Sequence, residues 1–149
     1  AQDPLLTQAT WELLWLILHH PEYGDQLSEI IDYEWININS TTGKLLSRLL
    51  AELREGMIDS VNQIENIIDS VEERQLLADI HSRELSVEEP TKQIVFCLER
   101  LRRKFVEAQI KNLEQKIINS DPDTQIRLMR ERKEILSKVS HPLELELQR

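Results

Sequence analysis

Four kinds of residue in this chain are of types that do chemistry. His19 and His20 are adjacent, followed by Pro21 and Glu22. Two histidines that bind one ion from a helix stand four apart, on one face. Neighbouring helical residues point about 100° apart and cannot do this. A histidine in the last turn of a helix instead suits the negative end of the helix dipole. The metal reading of this pair is therefore set aside. Cys97 is the only cysteine. It excludes an internal disulfide and a cysteine-based zinc site. Its apolar neighbours Val95, Phe96 and Leu98 suggest an inert core position rather than a nucleophile. No G-x-S-x-G elbow and no glycine-rich phosphate loop occurs, and no pair of acids is singled out for general acid–base work.

The third candidate is "EGMID", Glu55 to Asp59. It resembles the E-G-x-x-D motif with which Toprim nucleotidyl-transfer domains hold Mg²⁺, and "DPD" at Asp121–Asp123 mimics that fold's D-x-D motif. Those acids work at the ends of parallel strands. Here "EGMID" follows a leucine-rich helical stretch and "DPD" opens a helix. Gly56 is explained as a helix stop and Asp121 as a cap. The fourth candidate is "ERLRRKF", where Arg100, Arg102, Arg103 and Lys104 could track phosphates. They spread around a helix, with Glu99 and Glu107 among them, so direct nucleic-acid binding is not expected. The plain reading is a solvated helix making ion pairs; of the two binding readings, a basic face meeting an acidic protein is preferred to nucleic acid. We expect no catalytic residue, no metal site and no cofactor.

The elements that carry these residues read as all-α. The 149-residue chain has only 3 glycines and 5 prolines, and Leu, Ile, Glu, Gln, Arg and Lys, mostly helix formers, are abundant. The length suits one ordinary domain or two small ones. The chain begins at Ala1 without a methionine and reads as a processed product or a fragment. The longest apolar run is Leu13–Leu18, far short of the roughly 20 residues of a membrane span, and no basic segment of a signal peptide precedes it. A lone cysteine fits a reducing cytoplasm.

A first helix capped by Thr7 or Thr10 runs to Leu18, apolar all round and hence central. Pro21 stops it. A short second helix is expected over Tyr23–Ile31, after which "DYEWININS" breaks the pattern. A third follows Ser40, Thr41 or Thr42, with Leu45, Leu46, Leu49, Leu50 and Leu53 inward and Gly56 at its end. Asp59 is placed as the cap of a fourth. Ser70 and Glu73 stand at capping-box spacing before a fifth. Pro90 opens a long helix to about Asn119, whose apolar steps of 4, 3, 4 and 3 slip after Ala108. Asp121 and Pro122 open the last. Residues 1–89 are thus a compact helical bundle, 90–103 the first part of a connecting helix, 104–139 an antiparallel hairpin, and 140–149 a flexible tail. Residues 1–89 hold 18 acidic and 5 basic residues, net −13; residues 90–138 hold 12 basic and 7 acidic, net +5. That split marks two surfaces with different partners.

The order of these features resembles a family. "LLWLILHHPEYGDQL" is similar to the opening helix of the C-terminal, helicase-interacting domain of bacterial DNA primase (DnaG). "LLADIHSRE" is similar to its closing bundle segment. "IVFCLERLRRKFVEAQIKNLEQKI" and "DTQIRLMRERKEILSK" resemble its long helix and final hairpin. The segment Asp32–Asn66 matches only in being helical. The resemblance implies a non-enzymatic docking module in the bacterial cytoplasm. Its hairpin would bind the N-terminal domains of the hexameric replicative helicase through Ile126, Arg127, Met129, Arg130, Lys133, Leu136 and Val139. Its bundle, with Glu22 and Tyr23, would modulate activity. The parent protein would be the primer-synthesising polymerase. The N-terminal domain of the helicase itself shares this architecture and is the nearest rival, with a generic helical adaptor beyond it.

Overall fold

The computed structural model describes residues 4–143. Among these the protein is a compact all-α bundle of six helices and three short 3₁₀ turns, with no strand. The first helix, α1 (Pro4–His19), runs through the middle, and Leu13, Leu14, Leu16 and Ile17 have no accessible surface. It starts ahead of the expected caps. Thr10 lies inside it, buried, and its hydroxyl donates to Leu6 O at 2.8 Å. This local bond lets a polar residue sit in the core without an unmet donor. Pro21 heads a 3₁₀ turn, Pro21–Tyr23, and the short α2 (Gly24–Ile30) follows one residue later than expected.

After a second 3₁₀ turn, Tyr33–Trp35, Ser40 caps α3 (Thr41–Arg54), accepting from Gly43 N–H at 3.0 Å. The predicted leucine face of α3 is buried throughout. Gly56 follows with φ +75°, a left-handed conformation that favours glycine. The fourth α-helix expected after Asp59 is instead a kinked 3₁₀ segment, Val61–Asn66, capped by Ser60. Asp59 is diverted: its own N–H donates to Gln63 Oε1 at 2.6 Å. Ser70 caps α4 (Val71–Ser82), accepting from Glu73 N–H at 3.1 Å. The Glu73 carboxylate takes the N–H of Asp69 rather than that of Ser70.

The long helix α5 (Pro90–Ile118) is unbroken over 29 residues, about 44 Å at the standard rise. Its first half closes the bundle through Ile94, Cys97, Leu98 and Leu101, all buried. Its second half projects and pairs with α6 (Pro122–Val139), which Asp121 caps by accepting from Thr124 N–H at 2.7 Å. Leu113 and Leu128 are the buried residues of this hairpin. The chain past Val139 turns onto α5: Arg102 donates to His141 O at 3.0 Å and Leu143 N–H to Glu99 Oε1 at 3.3 Å. Residues 140–143 of the expected tail thus contact α5, and 144–149 lie outside the described residues. No helix of the described residues is long and apolar enough to cross a membrane.

Candidate partner-binding site on the terminal hairpin

Spacing on α6 decides what the hairpin offers. Ile126, Met129, Lys133 and Leu136 recur at steps of 3, 4 and 3, so they fall on one side of the helix. Leu128, 200° from Ile126, is the residue buried against α5. The outward set is left bare: Ile126 is 53%, Met129 58% and Leu136 41% exposed. The end of α5 extends the same surface with Ile117 and with Ile118, 76% exposed. Together they line a shallow trough of about 820 Å³. Its rim carries Arg130, Arg132 and Lys133 against the single carboxylate of Glu114. Arg132 and Glu114 neutralise each other at 3.2 Å. Arg130 and Lys133 have no ion-pair partner among the described residues, so the rim is positive.

Five of the seven expected contact residues thus meet in one place. The other two do not. Arg127 is about 100° round α6 from Ile126 and reaches neither side of the hairpin groove. Val139 lines a second groove of about 520 Å³ that continues along the hairpin toward the bundle, with Val106, Ile110 and Pro142; Glu114 and Leu136 border both. Ile117 and Ile118 were not among the expected contacts. The slip of the apolar stripe after Ala108 was the signal for them, since it turns the end of α5 away from the bundle and toward this trough.

The bundle residues are placed differently. Glu22 is exposed and stands 3.9 Å from His20 Nδ1, while Tyr23 is a buried core residue set edge-on to the His20 ring. His19 stacks on Trp15 at 4.1 Å and its Nε2 donates to Ile80 O at 3.1 Å, fastening the end of α1 to α4. His81 lies edge-on to His19 at 6.5 Å. Among the described residues no three histidine, cysteine, aspartate or glutamate side chains are grouped to hold a metal ion. Burial, with a smaller push from Glu12, raises the Cys97 thiol to about 12, so it stays protonated at neutral pH. Glu55 follows the last residue of α3, and Asp121 caps α6.

Compared with known proteins, the chain matches no family model, no curated protein and no solved structure.

Proposed function

We propose that this chain is a non-catalytic docking module. Its hairpin binds the N-terminal domains of a replicative helicase ring, as the resemblance to the primase C-terminal domain implies, in the bacterial cytoplasm. The observation that carries the reading is the apolar trough between Ile118 and Leu136. Four large apolar side chains stand exposed together, in a protein whose bundle buries most of its leucines. Clustered exposed apolar residues with a polar rim mark a protein contact. The cations at Arg130 and Lys133 favour a partner that presents carboxylates around an apolar centre, and such a rim speeds encounter at low salt.

The test is Leu136→Asp in the 149-residue chain, titrated with purified helicase. A buried charge at the centre of a contact removes about 2–4 kcal/mol, so the dissociation constant should rise at least about 30-fold. Because Leu136 is already part-exposed, the bundle should unfold at an unchanged temperature. Unchanged affinity would move the contact off the hairpin.

A further inference from the structure

The cations of α5 read in sequence as scattered around the helix. The fold sorts them. Glu99 and Arg102, which interrupt the run, are occupied by the returning chain: Glu99 accepts from Leu143 N–H and Arg102 donates to His141 O. Lys92, Arg100, Arg103, Lys104 and Lys111 then fall within a sector of about 120°, at 100° per residue. That sector faces away from the buried Ile94, Leu98 and Leu101. The stripe is straight, because α5 is unbroken, and runs about 28 Å from Lys92 to Lys111. In the middle of its bundle end lies Phe96, 49% exposed, with the Arg100 guanidinium over its ring at 4.4 Å.

Glu114 lies in the same sector but is taken up by Arg132 at 3.2 Å; of the other described carboxylates on this face, Glu89 stands 2.7 Å from Lys92 and Glu107 3.7 Å from Lys104. These last two pairs are solvent-exposed, and such pairs hold weakly enough for a phosphate to replace the carboxylate. From α1, Glu12 approaches the helix but is taken up by the Gln93 amide at 3.2 Å. Arg100, Arg103 and Lys111 make no ion pair among the described residues. The stripe therefore keeps a net positive charge in a chain of net −9.

We propose that this outward face of α5 binds single-stranded nucleic acid, with the cations along the phosphates and Phe96 and Arg100 stacking on a base. A linear track of cations with an exposed aromatic platform is the arrangement that holds single strands without reading their sequence. An acidic peptide would use the charges but has no use for a half-exposed phenyl ring with a guanidinium on its face. Arg103 and Lys111 line the groove that adjoins the hairpin trough at Glu114 and Leu136, but none of the stripe's cations, nor Phe96, lines the trough itself, so the inference does not depend on the helicase reading.

The test is fluorescence anisotropy of end-labelled 20-nucleotide oligothymidylate and oligouridylate with the full chain at a series of salt concentrations. Saturable binding of either strand is expected. With about three phosphates neutralised, log affinity should fall against log salt with a slope near −2. Phe96→Ala should weaken binding at least about fivefold. Arg100→Gln with Arg103→Gln should flatten the salt slope, and Met129→Asp, which lies in the trough and not in the groove beside Arg103 and Lys111, should leave binding unchanged. Thermal melts of each variant should coincide with the parent, since these side chains are not core. Absence of binding at about 50 mM salt would overturn the proposal. So would equal competition by polyglutamate with no effect of Phe96→Ala, which would make the face an acidic-protein contact, or equal loss in Met129→Asp, which would move the binding to the hairpin trough.

Discussion

Arg48 ties α3 to the start of α4. Its Nη1 donates to Asp69 Oδ2 at 3.1 Å, and its Nη2 to Glu73 Oε1 at 3.0 Å and to the carbonyl of Ile67. Glu73 is only 2% exposed, and its carboxylate also takes the Asp69 N–H at 3.0 Å. Arg48→Ala would leave that carboxylate buried beside Asp69 without its counter-charge. Removing one partner of a buried pair costs 3–5 kcal/mol. Arg48 is itself partly exposed, and water can reach the vacated space, so the lower end, about 3 kcal/mol, applies. In a chain of this length that lowers the melting temperature by about 6–12 °C. The assay is urea unfolding followed by circular dichroism, with Lys44→Ala, an exposed position of the same helix, as control. Arg48→Met combined with Glu73→Leu should recover much of the loss, because the stranded charge goes with its partner. A loss below about 1 kcal/mol for Arg48→Ala would mean that solvent already carries the Glu73 charge and that the pair does not hold α4 in place.

Three further outcomes follow from local geometry. Cys97 should react with a thiol-specific disulfide reagent at pH 8 only as fast as the protein unfolds, since burial keeps it a thiol up to about pH 12; rapid labelling of the native chain would show an open path to it. Gly43→Ala should destabilise by about 1–3 kcal/mol although alanine is the better helix former, because the new methyl would lie 1.9 Å from Asn37 O; urea unfolding no weaker than the parent would show that the loop yields without cost. Hydrogen bonds from Thr124 hold the Asp121 carboxyl below the usual carboxylate range. Its cap is therefore fully formed above the ordinary carboxyl pKa and is lost as pH falls through the lowered one. The Thr124 amide resonance should move in that acid range and not near pH 5, and Asp121→Ala should abolish the movement.

The helix ends were legible wherever a local rule sets them. Pro21, Ser40, Gly56, Ser70, Pro90 and Asp121 act on their own backbone within four residues, and each stands where sequence places it. Local chemistry also misled where two such residues competed. Ser60 caps the turn expected of Asp59, and Thr10 serves the interior of the helix it was expected to begin. Long-range partners left no trace in the order of residues. Nothing around Arg48 announces Glu73, 25 positions on, and nothing in the tail announces Glu99 or Arg102, which the returning chain takes up. The site was legible to the extent that α6 periodicity is. Ile126, Met129 and Leu136 share a face because of their spacing, whereas the side on which Val139 falls depends on how α5 lies against α6.

The most direct measurement is titration calorimetry of the 149-residue chain against the replicative helicase at low and high salt, with the parent and Leu136→Asp in parallel. A docking module with a cationic rim gives saturable binding by the parent, weaker at high salt, and lost in Leu136→Asp. No heat of binding at either salt, or equal binding by the two proteins, would contradict the assignment of this hairpin as the helicase contact.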